Sequence, residues 1–193
     1  MPGMNDIYHA VLIVSVSEQF VSIVKKSLTG FITLDTGKSA AAARRYILER
    51  YYDLIVINAP LPDETGEDLA IDAAMTGNAS ILLVIPEDVF EDILGSVTDY
   101  GVLVLPKPVP RGRIDKAIRF LTAVQNKMHG LEKRVSAAEE KLGELKTVDR
   151  VKFLLMEQKH MSEDEAHRFI GKMAMDNGIS RGKAARRILD DLE

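Results

Sequence analysis

The sequence predicts a doubly wound α/β domain with a five-stranded parallel sheet, then a coiled-coil helix, then a small all-α module of three helices. Three observations lead there. In the first part of the chain, short continuous apolar runs alternate with segments of helical period. A heptad pattern follows, and beyond it only helical patterns occur.

The apolar runs are Val11-Leu12-Ile13-Val14, Leu54-Ile55-Val56-Ile57, Ile81-Leu82-Leu83-Val84-Ile85 and Val102-Leu103-Val104-Leu105, with a weaker one over residues 31–34. Unbroken apolar runs of this length suit strands buried on both faces, as in a parallel sheet. Helical spacing lies between them, over residues 18–28, 38–49 and 67–75, a short piece near 90–94, and from 112 onward. Five βα units in succession imply right-handed crossovers and helices on both faces of the sheet. The expected domain covers residues 7–120. Function in such sheets concentrates at the carboxyl ends of the strands, which here are Ser15-Val16-Ser17, Asn58-Ala59-Pro60, Ile85-Pro86-Glu87 and Pro106-Lys107-Pro108.

The heptad pattern occupies residues 121–147. Leu121, Val124, Met128, Leu131, Val135, Ala138, Leu142 and Leu145 step by three, then four. That seam is too narrow to bury itself and needs a partner helix. In a parallel homodimer, Lys127 would face Glu132 and Arg134 would face Glu139, both attractive. Lys141 would meet Lys146, and Asp149 takes the next core position, so the seam should loosen there. The competing reading is a single amphipathic helix packed on its own domain.

Residues 148–193 read as three short helices. Val151, Leu154, Leu155 and Met156 are candidate core positions of the first. Ser162 and Glu165 form a capping box at the start of the second, whose apolar face is Ala166, Phe169, Ile170, Met173 and Ala174. Gly178 suits its left-handed stop. Ser180 can cap the third, with Ala184, Ala185, Ile188, Leu189 and Leu192 inward. Charge is segregated here. Between residues 166 and 188 stand Arg168, Lys172, Arg181, Lys183, Arg186 and Arg187 against the single acid Asp176, in a chain of net charge −4. A basic face in an acidic protein is an electrostatic footprint for phosphate. Arg168 and Lys172 share a face, Gly171 thins it, and Met175 lies on the same side.

Composition narrows the classes. At 46% hydrophobic and 28% charged the chain is globular. No apolar run approaches the roughly 20 residues that span a bilayer, and the first residues lack a basic or apolar signal region, so a cytoplasmic protein is expected. Cysteine is absent, which excludes disulfides, thiol nucleophiles and cysteine metal sites. His9, His129, His160 and His167 show no ligand-like pairing, and no glycine-rich phosphate loop or nucleophile constellation occurs. Neither an enzyme nor a bound cofactor or metal is expected.

Two stretches of the first domain, D-L-I-V-I-N-A-P-L-P-D-E-T-G (residues 53–66) and L-P-K-P (residues 105–108), resemble the phosphoacceptor and lysine strands of response-regulator receiver domains, across roughly residues 9–126. The resemblance implies a flavodoxin-like fold and also marks departures from it. Asn58 stands where receivers carry the phosphoacceptor Asp, and Ser15 and Val16 where they carry an acidic pair for Mg²⁺. Ile85 or Pro86 stands in place of the usual hydroxyl, and Val104 in place of the switch aromatic. Lys107 remains. Phosphoryl transfer needs a carboxylate nucleophile and an oxygen-rich cation site, so a pseudo-receiver is expected, with Lys107 held by Asn58 or by nearby carbonyls; the competing reading of Lys107 is a surviving anion site. Glu18, Asp63 and Glu64 are the carboxylates close enough in sequence to be considered as displaced ligands.

Three further stretches, V-D-R-V-K-F-L-L-M-E-Q, S-E-D-E-A-H-R-F-I-G-K-M-A-M-D and A-A-R-R-I-L, covering nearly all of residues 148–190, resemble the ANTAR family of transcription antitermination regulators. Val151 and Phe153 stand where that family usually has Ala and Gly. The resemblance implies a homodimer binding paired hairpin loops of a nascent leader RNA and favouring an antiterminator. Lys152, Arg168, Lys172, Met175, Arg181 and Arg187 are the expected contacts, backed by Lys183 and Arg186. Two rivals use the same residues: a helix-turn-helix reading duplex DNA, and a dimeric scaffold docking on an acidic protein. With phosphorylation lost, regulation would fall to constitutive dimerisation, or to a protein or small ligand at the altered receiver pocket.

Overall fold

A computed structural model of the chain describes residues 10–28 and 33–192. His9, Phe31, Ile32, the first residues of the expected domain at 7–9, and Glu193 lie outside the described residues. The chain divides into two compact units between His129 and Gly130.

In the first unit, five parallel strands stand in the order β2-β1-β3-β4-β5. They are β1 (Ala10–Val14), β2 (Thr33–Gly37), β3 (Leu54–Asn58), β4 (Ser80–Ile85) and β5 (Leu103–Pro106). Side chains alternate across the pleat, so each central strand feeds two cores. Leu12, Val14, Ile55, Ile57, Ile81, Leu83 and Ile85 face helices α2 (Ala40–Glu49), α3 (Glu67–Thr76) and α4 (Phe90–Val97). Val11, Ile13, Leu54, Val56, Leu82 and Val84 face α1 (Glu18–Ser27) and the start of α5 (Arg111–Lys159). Both faces are covered by helices, which is why these strands read as unbroken apolar runs.

The second strand differs from the expected residues 31–34, running on to Gly37 with Leu34 and Asp35 only half-buried. It is an edge strand with one neighbour, so its polar positions tolerate water and its sequence lacks a clear apolar signature. α2 likewise begins at Ala40, because Ser39 takes the cap by accepting from the Ala42 amide.

α5 is continuous across the unit boundary. Its first turns pack Ile114, Ala117, Ile118 and Leu121 against the sheet. Gln125, also buried, accepts a hydrogen bond from Ser80 Oγ at 3.0 Å and donates to the Asn78 carbonyl at 2.8 Å. Leu121 is a correction to the expected seam: only 5% of it is exposed, and it belongs to the sheet core. The exposed apolar row begins at Val124 and continues through Met128, Leu131, Val135, Leu142 and Leu145.

The second unit is all-α. The last turns of α5, α6 (Glu163–Asp176) and α7 (Arg181–Leu192) bury Val151, Leu155, Ala166, Ile170, Ala174, Ala184, Ala185 and Ile188 together. Val151 is fully buried, so its bulk is used in this core, whereas Phe153 points to solvent and constrains no packing. Leu154 lies outside that cluster, Met156 is exposed, and Phe169 departs from the expected apolar face of α6. Four alanines, Ala166, Ala174, Ala184 and Ala185, let the helices approach closely around Val151, Leu155, Ile170 and Ile188.

The local punctuation follows the sequence. Ser162 accepts from the Glu165 amide while Glu165 reaches back to the Ser162 amide, a complete capping box. Gly178, at φ 60°, ends α6; the Ile179 amide bonds the Ala174 carbonyl and the Gly178 amide bonds the Met175 carbonyl, the paired bonds of a Schellman motif. Ser180 accepts from the Lys183 amide at 3.2 Å to open α7. Leu155 is central to this small core, and replacing it by Ala should cost about 2–5 kcal/mol. Denaturant unfolding followed by hydrogen exchange in α6 and α7 measures that loss.

Candidate functional site

Two places gather polar side chains, and each lies within one unit. The first is the loop cluster at the carboxyl ends of β1, β3 and β5. The side chain of Asn58, 8% exposed, donates from Nδ2 to Ser15 Oγ at 2.9 Å, while its Oδ1 is buried without a partner. Ser15 Oγ also accepts from the Ser17 amide at 3.0 Å. Val16 points outward. Lys107 Nζ donates to the Ala59 carbonyl, and partial burial pushes its ammonium below the usual lysine range.

Two of the nearby carboxylates are committed elsewhere. Asp63 accepts from the Ala40 and Ala41 amides, both at 2.9 Å, capping the positive end of α2. Glu64 accepts from Arg44 at 2.6 Å and from the Leu69 amide at 3.0 Å. Glu18, by contrast, lines a cleft on the α1 side that adjoins the cluster through Ser15, with Val16, Lys25 and Lys38. Among the described residues no three His, Asp or Glu side chains come together as a metal site. The loop is shaped by Gly66, whose φ of 92° and close approach, 2.9 Å from an added Cβ to the Ala59 methyl, leave room for glycine only.

The second place is the exposed surface of α6 and α7. Arg168 and Lys172 stand one turn apart, both exposed, and Met175 is 80% exposed beyond them. Arg181 comes from α7 and lies across α6. Its Nε and Nη2 are 3.9 Å from where a Gly171 Cβ would sit, and its Nη1 is 3.4 Å from His167 Nε2. At that distance a side chain at Gly171 would make only ordinary contact with the Arg181 guanidinium, so Arg181 does not itself require a glycine there. Arg187 Nη1 donates to Asn177 Oδ1 at 3.4 Å, beside the α6–α7 turn. Lys183 and Arg186 are exposed on α7 and line a small cleft with Glu140 and Glu144 of α5.

Lys152 differs from the rest. Its Nζ sits 3.1 Å from Asp149 and 3.3 Å from Glu163, and hydrogen bonds to these two carboxylates, Asp149 first, raise its affinity for the proton. It joins the end of α5 to the start of α6, and a phosphate would have to compete with both acids. Sequence reasoning missed this because Glu163 is a long way along the chain. It also missed Phe169, whose helical spacing is that of a core position.

The chain matches the ANTAR domain family over residues 136–189. It is 28% identical over 141 residues to the transcriptional regulatory protein PdtaR of Mycobacterium tuberculosis, covering 72% of this chain and 68% of that protein. In fold, it is similar to the signal receiver domain of an HD domain-containing protein from Pseudomonas fluorescens, with TM-score 0.55, 18% identity, and coverage of 67% of this chain and 96% of that one. A structure described as adenylate cyclase from Rhodopirellula baltica gives TM-score 0.60 at 17% identity, covering 67% and 98%. At such identities the likeness is one of fold.

Asp63 supplies a pH test of the loop cluster. Bonds from the Ala41 and Ala40 amides hold its carboxyl below the usual carboxylate range. A depressed acid stabilises the fold above its unfolded pKa, near 4, and that contribution is lost as pH falls through the folded value. Asp63→Ala should therefore lower the melting temperature at neutral pH, and the difference from the parent should vanish in strong acid. Thermal scans across pH check it.

Proposed function

We propose that this chain, which joins a receiver fold to an ANTAR domain, is a transcription antitermination regulator that binds hairpin loops of leader RNA as a homodimer. The observation that carries the reading is the continuous cationic surface made by Arg168, Lys172 and Arg181, inside the stretch that matches the ANTAR family. Helices from two parts of the chain contribute to it, and Met175 adds an exposed apolar group at its edge. Unstacked bases in RNA loops offer flat faces and edges to such groups, and phosphates meet the cations. Arg187 extends the surface towards the α6–α7 turn, and Lys152 serves chiefly to brace it.

Dimerisation is assigned to the apolar row on α5 from Val124 to Leu145, whose large side chains are exposed among the described residues. Six large side chains exposed along one helix are costly in water and are buried readily by a second copy. Leu131→Glu combined with Leu142→Glu should give a monomer in sedimentation velocity while the parent sediments as a dimer.

The receiver fold is proposed to act without phosphorylation. Asn58 offers a neutral amide in place of a nucleophilic carboxylate, and Asp63 and Glu64 are occupied by α2 and by Arg44. Incubation with acetyl phosphate and Mg²⁺ should leave the intact mass unchanged; stoichiometric addition of a phosphoryl group would reject this part. A regulator, and no enzyme, fits the whole arrangement, with a protein or small ligand at the altered loop cluster as the route for a signal.

A gel-shift comparison tests the RNA reading. A two-hairpin RNA should bind more tightly than a duplex DNA of equal length, its affinity should fall steeply with salt by counterion release, and Arg168→Ala should weaken it at least several-fold without changing the dimer mass. Preference for the duplex would instead favour a DNA-reading helix pair.

A further inference from the structure

α5 ends where His160 turns left-handed, with φ 55°. Between that turn and the first turns of α6 lies a cleft of about 480 Å³. Its walls carry the cations Lys159, Arg168 and Lys172, the carboxylate of Glu165, the His160 ring, and Phe169. Phe169 has helical spacing suited to the core, yet it is 44% exposed, while its neighbour Ile170 is buried. The core closes on Ala166, Ile170 and Ala174 without it. An aromatic ring left half in water forgoes burial that a flat partner would supply.

The polar groups around the ring are set in place. Arg168 Nε donates to the Asp164 carbonyl at 3.2 Å, which holds its guanidinium against α6. Glu165 Oε2 accepts from the Ser162 amide and hydroxyl, both at 2.8 Å; its Oε1 is open to an N–H donor. The same bonds keep the Glu165 carboxyl below the usual carboxylate range, so it is an acceptor at neutral pH.

A ligand for this cleft needs a flat apolar face, an N–H edge and adjoining negative charge. A base in single-stranded RNA has all three: its face can stack on an aromatic ring, its edge can donate, and its phosphates follow the basic rim. An acidic peptide would satisfy the cations but set its own carboxylates against Glu165. We infer that the cleft receives one unstacked base of a looped RNA, its face on Phe169, its N–H edge on Glu165 and its flanking phosphates on Lys159 and Lys172. This rests on the hairpin-binding reading and adds to it a base pocket at Phe169, Glu165 and Lys159, none of them an expected contact, beside Arg168 and Lys172, which are.

The chain contains no tryptophan, so Phe169→Trp places a single reporter in the cleft. With the full chain and a pool of RNA hairpins with randomised loops, Phe169→Trp, which keeps a flat aromatic ring in the cleft, should still bind hairpins and its emission should be quenched. A blunt RNA duplex of the same length should leave the emission unchanged. Phe169→Ala should weaken hairpin binding by about five- to a hundredfold while keeping the slope of affinity against salt, whereas Lys172→Ala should reduce that slope by about one. If Phe169→Trp binds hairpins with unaltered emission, or Phe169→Ala binds as the parent does, the base pocket is wrong and hairpin binding stands. A change of dimer mass in Phe169→Ala would assign the ring to a contact between copies and overturn the pocket. If the parent binds no hairpin, both readings fall.

Discussion

Burial of apolar side chains at both ends of α5 underlies the rest of the molecule. Ile114, Ala117, Ile118 and Leu121 complete one face of the parallel sheet, and Val151 and Leu155 complete the core of the three-helix unit. Neither unit closes without that helix. Between these two buried segments α7 meets the helix at Glu144, but among the described residues the apolar side chains Val124, Met128, Leu131, Val135, Leu142 and Leu145 stay exposed. A helix needed by two cores is thereby also the element with a face to spare.

The loop cluster of the first unit is stable for reasons that have little to do with phosphate chemistry. Asp63 caps α2, Glu64 neutralises Arg44, Lys107 bonds a carbonyl, and Asn58 bonds Ser15. Most polar groups there have been given a partner inside the fold. Among the described residues the buried exception is Asn58 Oδ1, which is unpaired and carries the free-energy penalty of an unsatisfied acceptor. In the second unit the balance is reversed: the core sets four alanines among Val151, Leu155, Ile170 and Ile188, and the exposed cations of α6 and α7 and Phe169 are turned outward. Stability there comes from close helix contact and from caps at Ser162, Gly178 and Ser180, which leaves the surface of α6 and α7 free for recognition.

Much of this was legible in the linear chain. The strands covered on both faces declared themselves as runs without polar interruption, as Ile81 to Ile85 does. The edge strand did not, because Thr33, Asp35 and Thr36 face a boundary where polar side chains cost little. The capping box and the left-handed glycine were also readable, since each depends on bonds within four or five residues. Leu121 was assigned to a seam because it keeps the heptad spacing. Periodicity reports that a residue is apolar and on a given face; it does not report which neighbour arrives to cover that face.

The same limit explains the candidate sites. The identities of Asn58, Ser15 and Lys107, the basic excess on α6 and α7, and the apolar row on α5 were set by the sequence alone, because residue chemistry and local period do not depend on the rest of the fold. Tertiary structure decided that Leu121 is core and Phe169 is not, that Lys152 sits between two acids, and that Arg181 lies over Gly171. Apart from the Lys152–Asp149 pair within one helix, each of these is a contact between residues ten or more positions apart, or the lack of one, and such contacts exist only once the helices have packed.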